Sequence, residues 1–168
     1  KLQDAPGMFK ILMLHTTMKD ALPNLDIPSV NRESLPKVDY IALGHLHLQY
    51  EKGNAVYGGP IYPNNASELE DLKYGTFYIV DTNKEAKRHN IKLKDVLVLD
   101  LEITDSLIGT DKIIEELKKH PLKDKIFILK LKGVLEKGKI TDINFNKIEE
   151  FSRKQGVYCF MKNTTKLF

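Results

Sequence analysis

The sequence predicts an α/β protein, and three observations carry that reading. Short apolar runs recur through the first half, each stopped by turn-forming residues. Two of these runs lead straight into histidine, at His15 and at His45. From residue 96 onward the text alternates strand, helix, strand, helix, strand. With 168 residues and 42% hydrophobic content, the chain can fill one domain and a smaller second one. The expected domains are residues 1–90 and 96–168.

The first strand is the apolar run ending Ile-Leu-Met-Leu-His at His15. A long polar connection follows, and Pro23, Pro28 and Pro36 each bias the preceding residue away from helix, leaving room for one short helical turn at most. Residues 38–43 form the second strand and empty into Gly44-His45-Leu46-His47. Residues 54–57 read as a strand stopped by Gly58-Gly59-Pro60, and residues 62–67 as a polar loop suited to lining a pocket. Residues 74–81 supply another strand. The stretch 82–95 carries five Lys/Arg against two acids and reads as a boundary or a charged edge.

In the second half, residues 96–103 begin as a continuous apolar run. They then alternate, with Leu99, Leu101 and Ile103 on one face and Asp100 and Glu102 on the other. Thr110 or Asp111 is placed to cap a helix with the apolar face Ile113, Ile114 and Leu117, whose last turn carries Lys118, Lys119 and His120 before Pro121. Residues 126–134 form a strand with Leu129 and Leu131 inward and Lys130 and Lys132 outward. Asn146 with Glu149 three residues on has capping-box spacing, Ile148 and Phe151 give that helix its buried stripe, and Gly156 ends it. Residues 157–161 make the last strand. Together these elements describe a compact α+β module.

Charge is divided between the halves. Residues 1–83 hold 7 Lys+Arg against 10 Asp+Glu, while residues 84–168 hold 19 against 13. The second half therefore favours a polyanion such as nucleic acid. Cys159 is the sole cysteine, which excludes an internal disulfide and a cysteine-based zinc site. Any metal must be held by His, Asp, Glu or Asn. No apolar stretch approaches the roughly 18 residues of a membrane span, and residues 1–7 lack a signal-peptide pattern. A soluble, intracellular protein without a membrane partner is expected.

The chemistry concentrates in the Gly-His-x-His tetrad. His45 and His47 stand at the i, i+2 spacing that places side chains on one side of an extended chain. Gly44 permits a close backbone approach or a turn. Ligands of parallel α/β sheets bind outside the carboxyl ends of strands, so His15, His45 and His47 are expected to converge on one rim as metal ligands. His89 and His120 lie in polar, lysine-rich stretches and read as ordinary hydrogen-bonding or exposed histidines.

A Gly-His-x-His element after a second His-ended strand resembles the calcineurin-like metallophosphoesterases, which are two-metal hydrolases. Residues 11–15, 39–47, 58–63 and 77–81 are similar to the archaeal nuclease subunits of double-strand-break repair, the meiotic recombination eleven and SbcD family. That resemblance implies that residues 1–90 are the later half of a two-sheet metallophosphoesterase domain and 96–168 a small DNA-binding capping domain. It implies two manganese ions, with His15 and His45 on one and His47 on the other. The implied reaction is two-metal phosphodiester hydrolysis, as a 3′–5′ exonuclease and single-strand endonuclease. The implied partners are DNA, an ABC-type, SMC-like repair ATPase and a second copy in a homodimer, in a cytoplasmic, nucleoid-associated setting.

Asp-x-His, the bridging Asp and Gly-Asn-His-Asp of that family occur nowhere in this sequence. The expectation is therefore a C-terminal portion that carries no catalytic residue of its own. Its carboxylate ligands and the N-terminal half of the nuclease domain lie outside this chain, and the chain alone is inactive. Lys84, Lys87, Arg88, Lys92, Lys94, Lys130 and Lys132 are expected to contact DNA phosphates without sequence preference and in a salt-dependent way. Two other readings stay open, a phosphoesterase of small phosphorylated molecules and a non-catalytic DNA-binding or scaffold module.

Overall fold

A computed structural model describes residues 6–83 and 85–168. It is a mixed α/β structure with three sheets and three α-helices. Packing divides it into two units, one taking the described residues up to Asn64 with Tyr74–Ile91, the other Asn65–Lys73 with Lys92–Phe168. The helix at Ala66–Leu72 thus groups with the second unit. Among the described residues no helix is long and apolar enough to cross a membrane.

The first unit is built on β1 (Ile11–His15), β2 (Tyr40–Gly44), β3 (Tyr50–Lys52) and β4 (Ala55–Tyr57), in the sheet order β1-β2-β4-β3. β1, β2 and β4 run parallel, and β3 returns antiparallel on β4. Alternation along β1 turns Leu12 and Leu14 toward a core of Met18, Ile41, Leu43, Ala55 and Tyr57. The proline-rich connection carries a single 3-10 turn at Arg32–Ser34. Parallel strands need a long crossover, and this irregular one closes on a bridge between Met18 and Val30.

β5 (Gly75–Val80) and β6 (Ala86–Ile91) form an antiparallel pair. β6 lies in the stretch read from its charge as a boundary or edge. Ala86, Lys87 and Asn90 are poor strand formers, but pairing with β5 supplies a backbone ladder that propensity alone does not reveal.

The second unit holds α1 (Ala66–Leu72), β7 (Asp95–Glu102), α2 (Gly109–Leu117), β8 (Lys125–Gly133), α3 (Phe145–Lys154) and β9 (Cys159–Leu167). The expected element order is present, yet β7, β8 and β9 all pair in parallel with α2 and α3 as the crossovers. This is a βαβαβ arrangement rather than α+β packing. β9 also runs past residue 161, because β8 offers it a ladder to Gly133.

One core joins Leu99, Phe127, Leu129 and Leu131 of the sheet to Ile113 and Leu117 of α2 and Ile148 of α3. A smaller one sets Leu69 of α1 against Ile126 and Ile128. Residues 126–129 of the central strand are all buried, which accounts for their unbroken apolar text.

Both expected caps move. Asn144, not Asn146, accepts the Lys147 N–H at 2.9 Å, and Glu149 binds Arg153 at 2.7 Å instead of closing a capping box. At α2 neither Thr110 nor Asp111 is the cap. The helix begins at Gly109, the Thr110 hydroxyl accepts the Asn144 N–H at 2.9 Å, and Asp111 pairs with Lys147. Gly156 follows α3 at φ +82°, where glycine alone avoids strain.

Candidate functional site

His15 is the last residue of β1 and His45 the first after β2. Parallel pairing of these strands sets His15 directly opposite Gly44. A Cβ at residue 44 would lie 3.0 Å from Nδ1 of His15, so the imidazole occupies space that only glycine leaves open. His45 then takes φ +93°, a backbone that costs a non-glycine residue of order 1–3 kcal/mol. Its ring meets that of His15 edge to face, with centroids 5.2 Å apart.

The structure therefore brings together the two histidines from different strands. His47 lies on the same loop and lines an open cavity of about 400 Å³ with His45, Gly59, Pro60, Ile61, Tyr62 and Asn64. The spacing argument for His45 and His47 applies to extended chain, and the left-handed turn at His45 ends that regularity. Among the described residues, no three His, Cys, Asp or Glu side chains form a group able to hold an ion.

Tyr57 and Gly75 support this rim without any chemical motif to announce them. Tyr57 is fully buried at the end of β4; its hydroxyl donates to the Thr16 carbonyl at 2.6 Å and accepts the Met18 N–H at 2.8 Å. The turn leaving His15 is thereby pinned. Gly75 lies so close to Ile61 in the cavity wall that a Cβ would sit 1.6 Å from the Ile61 carbonyl oxygen. A tyrosine closing a short strand after Gly-His-x-His is the one signal for the first of these, and it marks no particular partner.

The expected DNA contacts are spread over both units. Lys84 lies outside the described residues. In the first unit Lys87 and Arg88 are exposed on β6, and Arg88 donates to Gln49 at 2.9 Å. In the second unit all four lysines carry acidic partners: Lys92 with Asp95 at 2.6 Å, Lys94 with Asp124, Lys130 with Glu70, and Lys132 with Asp100 at 3.1 Å. The hydrogen bond that Lys130 donates to Glu70 raises the Lys130 pKa against the opposing effect of burial. His89 stacks on Phe77 at 5.1 Å, and His120 stands 3.7 Å from Glu116.

The chain matches no protein-family model and no curated protein.

Proposed function

We propose that this chain supplies the imidazole side of a manganese-dependent phosphodiesterase centre. In this reading it is the later portion of a DNA nuclease of double-strand-break repair, with the carboxylate ligands outside the chain. One observation carries the reading. His15 and His45 stand at the carboxyl ends of adjacent parallel strands, 5.2 Å apart, over a glycine whose missing Cβ makes room for the first ring.

The donor set fits part of such a centre. Imidazoles bind manganese and its neighbours, but manganese prefers oxygen donors, and among the described residues no three His, Cys, Asp or Glu side chains form a group able to hold an ion. His15 and His45 would share one ion and His47 would reach the other. Two bound divalent ions supply charge neutralisation at the phosphoryl oxygens of a displaced phosphodiester. The chain's own task is to hold imidazoles in place, through the turn pinned by Tyr57 and the strained backbone of His45, beside a cavity walled by Gly59, Pro60 and Ile61. DNA, an SMC-like ATPase, a homodimeric partner and a nucleoid-associated location belong to the same proposal.

Assay of the full-length protein on DNA with manganese tests it. His45→Ala is expected to abolish cleavage, and retained activity overturns the assignment. A second reading has one observation in its favour: the cavity of about 400 Å³ beside His45 and His47 falls within the roughly 300–1,000 Å³ of small-molecule pockets. Rapid turnover of small phosphate esters with no action on DNA would select a small-molecule phosphoesterase instead.

A further inference from the structure

We propose that the second unit carries a separate binding site for a terminal phosphate group, in a cavity beside α1 at the lysine ends of β8 and β9. The argument starts from one face of the sheet. Its first half, Val96, Val98, Ile126, Ile128 and Met161, is apolar and packs with Leu69 of α1. Beyond Ile128 the same face of β8 changes to Lys130 and Lys132, and a cavity of about 240 Å³ opens there. It lies toward the carboxyl ends of three parallel strands, where α/β sheets bind ligands.

A break in register shapes this end of the sheet. Lys130 opposes Asn163, yet Lys132 opposes Lys166, so β9 places one extra residue against β8. The irregularity sets two lysines directly opposite one another, a pairing that like charges make unfavourable. Lys130 is held by Glu70, and Lys132 by Asp100 at 3.1 Å; no ion pair holds Lys166 among the described residues. A dianion between Lys132 and Lys166 relieves their repulsion. Asn163 and Thr165 line the same cavity; the Thr165 N–H and hydroxyl both donate to the Asn163 carbonyl oxygen, which fixes the amide so that its NH2 group is left to donate to a ligand.

Size and charge select the ligand. The cavity is smaller than the roughly 300–1,000 Å³ of drug-sized pockets, so it admits a phosphate with little attached. A terminal phosphate carries about −1.5 to −2 charges at neutral pH, against one for an internal phosphodiester, and suits a lining in which Lys130, Lys132, Lys162 and Lys166 face only the carboxylates of Glu70 and Asp100. The group could arrive on a small phosphate ester or on the 5′ end of a nucleic acid. Nothing in the site requires a metal.

The test titrates the full chain with inorganic phosphate and follows the backbone NMR signals of Asn163, Thr165 and Lys166. Saturable shifts are expected, weakened at least tenfold by Lys166→Ala and tightened several-fold by Asp100→Asn, which removes the carboxylate competing for Lys132. A role confined to folding would not give opposite signs for these two variants. His45→Ala should leave the affinity unchanged, which separates this site from the proposed metal centre. Competition by a 5′-phosphorylated oligonucleotide, and not by its 5′-hydroxyl form, identifies the nucleic-acid source; competition by a small phosphate ester alone identifies the other. Absence of saturable binding, indifference to both variants, or equal competition by the 5′-hydroxyl oligonucleotide overturns the proposal.

Discussion

The hydroxyl of Tyr57 bridges the carbonyl of Thr16 and the N–H of Met18, at 2.6 and 2.8 Å, across about forty residues of chain. It ties the end of β4 to the turn that leaves His15. Both Tyr57 and Met18 are fully buried, so removing the hydroxyl leaves the Met18 N–H without its acceptor and without water. Tyr57→Phe is expected to lower stability by about 1–3 kcal/mol, the usual cost of an orphaned buried group. Urea denaturation would show this as a lower midpoint with an unchanged slope, and the His15 ring signals should shift in the same variant.

Gly44→Ala tests the packing between β1 and β2. The added Cβ meets His15 Nδ1 at 3.0 Å, tighter than ordinary contact, so the imidazole must swing away. Loss of the His15–His45 ring contact should appear as altered imidazole NMR signals. Manganese affinity in the full-length protein should fall at least tenfold. An unperturbed His15 spectrum would show that the ring does not depend on this glycine.

His45→Gly separates stability from function. At φ +93° the histidine backbone is strained, and glycine adopts that conformation without cost. Relief of strain opposes the greater unfolded-state freedom of glycine, so stability should change by no more than about 1 kcal/mol. The same variant removes a proposed ligand and should abolish metal-dependent cleavage. A large loss of stability would mean that the His45 side chain has a structural role.

Asp20 sets a pH dependence in the first unit. Burial pushes its carboxyl up, but the neighbouring Tyr50 hydroxyl and the Arg32 guanidinium, 3.2 Å away, outweigh that and hold it below its ordinary value of 3.8. A carboxyl depressed by folding stabilises the native state above its unfolded pKa, and that contribution is lost as pH falls through the lower folded value. Unfolding measured as a function of pH should show stability declining below about pH 4. Asp20→Asn should be less stable at neutral pH and show a flatter acid limb.

The elements built from local pattern are legible in the sequence. The runs at Ile11–His15, Tyr40–Gly44, Ala55–Tyr57 and Gly75–Val80 announce themselves by apolar text and the turn formers beside them. So do the buried stripe of α2 and the glycine that stops α3. β6 is hidden, because Lys87 and Arg88 become strand only through pairing with β5. The cap of α3 is Asn144 rather than the Asn146 expected from capping-box spacing. The Thr110 hydroxyl, 34 residues away in the chain, accepts the Asn144 N–H, a contact that spacing does not show.

The candidate site divides along the same line. Residue order alone places His15 and the Gly-His-x-His tetrad at strand ends, since both sit where apolar runs stop. Their meeting depends on register: parallel pairing sets His15 against Gly44, and the turn at His45 then brings the second ring beside the first. The lysines show the converse. Their abundance in the second half is plain from composition, but Glu70 and Asp100 neutralise Lys130 and Lys132 only once helix and strands are packed. Periodicity reports what neighbours in the chain do, whereas charge compensation and ring contact belong to residues that only a particular strand register makes adjacent.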